Sequence, residues 1–165
     1  MQPRKNIQRL VEAFNQIKED VQLVIVGKKG WLYEPILETI EISPKKGKIL
    51  VLDFVSDADL AYLYEQAQCL VLPSLYEGFG IPVVEALAHG CLVVVSNTSS
   101  LPEVAGDAGI YINPENVDDI ARGTCEALQL KPEQRRDLIQ RGQEQIKKFS
   151  WEKCAKKTLE VLNSM

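Results

Sequence analysis

Four unbroken apolar runs decide what this 165-residue chain can fold into: residues 21–26 (VQLVIV), 48–54 (KILVLDF), 69–72 (CLVL) and 91–95 (CLVVV). Each is continuous rather than alternating, as expected of a strand buried on both faces of a parallel sheet. Helix-period segments lie between them, and strands alternating with helices specify an α/β fold with a parallel sheet covered on both sides. A shorter fifth run, residues 109–112, ends at Asn113-Pro114. The expectation is a Rossmann-like α/β domain spanning residues 1–165 and long enough for a substantial core. No G-x-G-x-x-G follows a first strand, so the dinucleotide-binding version is not indicated.

The helical segments can be bounded by their stripes and caps. Ile7, Leu10, Val11, Phe14 and Ile17 fall on one stripe, with Asn6 as N-cap. Residues 34–41 form a weak helix, and residues 58–67 a helix capped by Ser56 or Asp57. Gly27-Lys28-Lys29-Gly30 reads as a turn. Three helices close the chain: residues 117–128, one starting after Pro132, and one near Trp151 capped by Ser150. In the last, Trp151, Cys154, Ala155, Thr158, Leu159 and Leu162 share a face. Lys153, Lys156 and Lys157 lie mostly on the other. Such a face is ordinarily solvated, and contact with anionic lipid is the alternative.

Residues 72–90, LPSLYEGFGIPVVEALAHG, carry the chain's chemistry. They read as a strand end, a loop holding Pro73, Glu77, Gly78 and Gly80, and a helix from about Ile81 that ends before Gly90. Strand, glycine loop and helix N-terminus together hold a phosphate, because unpaired amides point at the ligand and the helix dipole favours negative charge. Gly78 and Gly80 let the backbone approach an anion where a Cβ would intrude. Pro82 suits the first helical turn, and His89, in the last turn, has a structural role there. Seven residues separate Glu77 from Glu85, which lies about 7 Å along the helix from its start. Acids do not bind phosphate. One on each flank of an anion site points to hydroxyl groups, and so to a sugar joined to a nucleotide's ribose through a diphosphate. Two solvated glutamates on a plain strand–turn–helix are the other reading that spacing allows.

PSLYEGFGIPVVEALAHG resembles the signature of family 4 glycosyltransferases, the group 1 enzymes of the GT-B fold. Those are retaining enzymes that move a sugar from a nucleotide-sugar to an acceptor. Glu77, Gly78, Phe79, Gly80, Pro82, Glu85 and Ala86 stand where that pattern wants them. PRKNIQRLVEAF, FVSDADLAYLYEQA, SNTSSLPEVAGDAGIYINP and FSWEKCAKKTLEVL are also similar to family segments, so the likeness covers nearly the whole chain.

The resemblance implies roles. Gly78, Phe79, Gly80 and Ile81 form the donor-binding stretch, with Phe79 and Gly80 offering amides to the diphosphate. Lys5 matches the lysine that binds the phosphates; a solvated cation near a helix start is its other reading. Glu85 accepts from the ribose hydroxyls, and the backbone at Phe54 and Val55 borders the base. Glu77 faces the transferred sugar as the catalytic carboxylate, with no covalent role. Lys28 stands where the family has a Gly-x-Gly; it and Lys29 face either the phosphates or solvent.

By the same resemblance the reaction retains configuration, moves a hexose-type sugar from a UDP-, GDP- or ADP-linked donor, and needs no metal or cofactor. The chain is then the C-terminal, donor-binding half of a GT-B enzyme. Met1 reads as a cut inside a longer protein, with the first strand truncated and the N-terminal acceptor domain absent. The expectation is a piece that folds and binds a nucleoside diphosphate weakly without transferring sugar. A non-catalytic nucleotide-sugar-binding or regulatory module is the alternative. A receiver-like phosphate-binding domain would want an acidic cluster at early strand ends, which is not seen.

Composition excludes several partners. A net charge of −4 and a pI near 5.1 argue against nucleic acid. No apolar run approaches the ~20 residues that span a bilayer, and no secretory leader is readable. Cys69, Cys91, Cys125 and Cys154 are widely spaced without a CxxC pair, so reduced thiols in a cytoplasmic protein are expected. Peripheral association of the full-length protein with a membrane's cytoplasmic face is the alternative left by the lysine-rich helix face.

Overall fold

The computed structural model describes residues 2–28, 30 and 33–164. Met1 and Lys29, on which two expectations rest, lie outside the described residues. In chain order the elements are α1 (Ile7–Gln16), β1 (Leu23–Val26), α2 (Glu34–Glu41), β2 (Ile49–Leu52), α3 (Asp57–Gln66), β3 (Leu70–Leu72) and α4 (Ile81–Ala88). There follow β4 (Val93–Ser96), α5 (Leu101–Ala105), β5 (Gly109–Ile112), α6 (Val117–Gln129), α7 (Pro132–Ile146) and α8 (Trp151–Asn163). The expected α/β alternation is present, with every strand pair parallel.

β4 is the centre of the core. Val93 and Val95 point into a cluster with Leu72, Val83, Leu87 and Leu101, against α4 and α5. Val94 points the other way, among Phe14, Leu92, Ile110 and Ile120, against α1 and α6. All three valines have no exposed surface. A strand covered on both faces favours apolar side chains throughout, which is why Val93 to Val95 are all valine; buried Ser96 at its end turns its hydroxyl to the Leu72 carbonyl. Each such side chain contributes about 1.5–3 kcal/mol of burial. Packing is close enough that a Cβ on Gly123 of α6 would sit 2.3 Å from Ile112 Cγ2.

The N-terminal strands depart from the expectation. Among the described residues the sheet is in two parts, β1–β2 and β3–β4–β5. β1 and β2 are covered on one face only: Ile25, Ile49 and Val51 pack with Val11, Ile36 and Ile40 of α1 and α2. Val24, Val26 and Leu50 on the opposite face are exposed. The expectation of burial on both faces therefore fails here, for a packing reason. The next helix, α3, buries none of its residues; its Leu60 and Leu63 border the same open gap as Val24 and Val26.

Several expected strands are also shorter by one to three residues, the ladders being only three or four residues long. Ser56 and Ser150 cap α3 and α8 as expected, each Oγ accepting from the amide three residues on at 3.1 Å. α8 buries no residue, and its Trp151 is 83% exposed.

Candidate functional site

The site is built around the start of α4. Gly80 is the N-cap, with φ +108° in the left-handed region that glycine adopts without strain. A Cβ there would also lie 2.8 Å from Leu101 Cδ2. Glycine at 80 is thus demanded by the fold. Gly78 stands in open space. Ser99 and Ser100, which follow β4, pin the loop: the Glu77 amide donates to Ser99 Oγ (3.1 Å), and Ser100 Oγ lies 3.0 and 2.8 Å from the carbonyls of Glu77 and Phe79. None of these bonds uses the amides of Gly78, Phe79, Gly80 or Ile81. The Phe79 ring meets Phe149 edge-on at 5.4 Å.

Glu77 is buried, with 6% of its surface exposed. Its Oε1 accepts from Lys5 Nζ (2.6 Å) and Ser74 Oγ (2.7 Å), and its Oε2 from Arg4 Nη1 (2.8 Å). Burial alone would push its pKa up. The bonds from Lys5, Ser74 and Arg4 outweigh that, and the carboxyl is held below the usual glutamate range. Two cations meet one anion here, leaving a net positive charge of about one beside the α4 N-terminus. Both that charge and the helix dipole favour a bound anion.

Sequence reading missed Arg4, Ser74 and Tyr64. The only signals for the first two are the adjacent basic pair Arg4-Lys5 and the serine three residues before Glu77, and Tyr64 has none. Asn6 stands at the N-cap position of α1, as expected, but with φ +59° and without the side-chain cap bond that the position ordinarily provides. Instead, buried Asn6 Nδ2 donates to the carbonyls of Pro73 (3.0 Å) and Pro114 (2.7 Å). It therefore ties the start of α1 to the ends of β3 and β5. Together with the Leu75 amide donating to the Arg4 carbonyl at 2.9 Å, this brings residues 4–6 against the Glu77 loop.

Glu85 lies in the second turn of α4, half-buried. Tyr64 Oη donates to its Oε2 at 3.2 Å. Burial first, and the charge of Glu85 second, push the Tyr64 phenol far above its ordinary pKa, so the hydroxyl stays protonated and donates. The His89 ring stacks on Tyr64 at 6.1 Å and 15°, with Nδ1 3.3 Å from Glu65 Oε1; its contacts are structural.

A gap of about 920 Å³ divides β1 from β3; most of its wall is apolar, including Val24, Val26, Leu70 and Val71, and Lys5, Gly27, Lys28, Tyr64, Pro82 and Glu85 also line it. The strand order runs outward from this gap in both directions, β1 to β2 on one side and β3 to β5 on the other. In open α/β sheets such a reversal, at the carboxyl ends of the strands, is where ligands bind. Lys5 and Glu85 therefore share one cavity, with Glu77 behind Lys5. Gly78, Phe79, Gly80 and Ile81 lie on the adjoining loop and helix start, and do not line it. Val55 lies beyond the end of β2, next to Phe54, whose ring carries Lys28 Nζ at 5.7 Å. Among the described residues no group of three or more His, Cys, Asp or Glu is placed to hold a metal ion. No helix among them is long and apolar enough to cross a membrane.

Parallel strands alternating with helices, with a crevice where the strand order reverses, define an open α/β domain. Comparison with known proteins makes this specific. The family described as "Glycosyl transferases group 1" matches residues 1–145. The O-antigen chain mannosyltransferase B of Escherichia coli is 40% identical over 96% of this chain and 42% of its own length. An MMP alpha-(1->4)-mannosyltransferase of Mycolicibacterium hassiacum is 33% identical over 96% of this chain and 40% of its own. Among solved structures, sucrose-phosphate synthase from Thermosynechococcus elongatus superposes with a TM-score of 0.85 at 27% identity, covering 99% of this chain and 43% of that one.

The chain belongs to the group 1 glycosyltransferases, and its fold matches part of their GT-B structures. It spans about two fifths of the length of these relatives.

Proposed function

We propose that residues 1–165 are the donor-binding, C-terminal domain of a retaining glycosyltransferase of family 4, and that a nucleoside-diphosphate sugar binds where the Glu77 loop and the α4 N-terminus adjoin the cavity between β1 and β3. The observation carrying this reading is the convergence of Lys5 and Glu85 on one crevice at the α4 N-terminus, with Glu77 bonded to Lys5 behind it. The diphosphate rests against the amides of Gly78 to Ile81 and the excess positive charge of Arg4 and Lys5. Glu85 takes the ribose hydroxyls, and the backbone at Val55 borders the base. Glu77 reaches the transferred sugar, where a carboxylate stabilises positive charge developing at the anomeric carbon.

The departing diphosphate is stabilised by Lys5 and the helix dipole, without a metal. Both relatives named above are mannosyltransferases, so mannose is the hexose to test first. An acceptor domain outside these residues completes the enzyme, and the chain alone binds donor without transferring sugar. Titration with UDP, GDP and ADP, alongside Glu85→Ala, tests the binding step. One nucleotide should bind preferentially and Glu85→Ala should weaken it. Binding indifferent to nucleoside and to Glu85 would overturn the reading.

A further inference from the structure

Glu85 is a flexible side chain lining a wide cavity, and freezing such a chain costs rotamer entropy. One neighbour removes that freedom before any ligand arrives. Tyr64, from α3, donates its hydroxyl to Glu85 Oε2 at 3.2 Å. The phenol is itself held, half-buried against the α4–β4 core cluster and stacked on His89. A carboxylate has about four lone-pair sites. The tyrosine occupies one on Oε2, and Oε1 accepts no hydrogen bond among the described residues. Both Tyr64 and Glu85 line the cavity.

We infer that Tyr64 is a positioning residue for diol recognition: its hydroxyl fixes the Glu85 carboxylate so that the free oxygen meets the paired hydroxyls of a nucleotide's ribose. The inference rests on the assignment of Glu85 to the ribose. α3 buries none of its residues fully, yet it brings one hydroxyl to one carboxylate. Preorganised partners spend less entropy on binding, so losing the hydroxyl weakens recognition of the diol while leaving the rest of the ligand's contacts alone.

The test is Tyr64→Phe, which keeps the ring and its stack on His89. Binding of GDP and of 2′,3′-dideoxy-GDP is measured by calorimetry, with the UDP and ADP pairs run alongside. The wild type should prefer the ribose form. Tyr64→Phe should lower affinity for that form about three- to tenfold, the worth of one hydrogen bond, and leave the dideoxy form unchanged. In a Glu85→Gln background the tyrosine substitution should add less. Equal weakening of both forms, or of neither, overturns the positioning role while the assignment of Glu85 stands. A wild type without any preference for the ribose form overturns that assignment and this inference with it.

Discussion

Glu77 and Glu85 belong to one motif and flank the start of one helix, yet their surroundings have little in common. Glu77 is buried and receives three side-chain hydrogen bonds, two of them from cations. Glu85 borders a cavity and receives one, from a neutral phenol. A charge deep in a protein must be paired, whereas one that can reach water need not be. The loop end of the site is therefore also a structural joint, fastening residues 4–6 to the segment after β3. The helix end leaves its carboxylate available.

The sharpest way to break this contrast is to remove each acid in turn. Glu77→Ala leaves Arg4 and Lys5 facing each other unpaired. Breaking a buried pair costs about 3–5 kcal/mol. Both cations reach solvent, with side-chain exposures of 44% and 26%, so about 2–3 kcal/mol is expected. In a domain of this size that lowers the melting temperature by about 5–10 °C. Glu85→Ala should cost under about 1 kcal/mol. Equal losses in thermal or denaturant unfolding would contradict the division into a joint and a free carboxylate.

The two glycines of the loop give a second, smaller contrast. Gly80→Ala forces a side chain into a left-handed backbone and against Leu101, at about 2 kcal/mol. Gly78→Ala enters open space and should change stability by less than about 0.5 kcal/mol, read from denaturant midpoints. Any loss of nucleotide affinity in that variant then reports on the ligand's approach to the backbone alone.

The smallest effect is in pH. Burial opposes ionisation of Glu77, but Lys5, Ser74 and Arg4 prevail and depress its folded-state pKa. The unfolded value is about 4.3. The stability this group contributes is therefore fully present above that pH and is lost as pH falls through the folded value. Below about pH 4.3 the wild type should lose stability with falling pH more steeply than Glu77→Gln. Parallel curves would mean the cations do not hold the carboxylate as described.

Much of the fold was legible because it follows from short-range rules. Ser56 and Ser150 cap their helices through bonds three residues away, and β4 is apolar because both its faces are covered. The N-cap position of Asn6 was legible, but not the work of its side chain, whose amide spans 67 and 108 residues to Pro73 and Pro114. Residues 21–26 and 48–54 look as apolar as β4, yet Val24, Val26 and Leu50 face outward. Composition registers that a strand is apolar, not how many of its faces a helix covers. In the candidate site the loop, the helix start and both acids were readable from one stretch. Arg4 and Tyr64 were not, because they come from elements remote in the chain.

Periodicity, glycine placement and caps are local properties, and from them the chain alone specified alternating strands and helices, a turn at Gly80 and two acids around α4. Packing decided the rest: that Glu77 would meet Arg4 and Lys5, and that Glu85 would meet Tyr64. Those outcomes depend on which elements touch, and contacts across 70 residues are set by the burial of whole faces rather than by the residues that happen to meet.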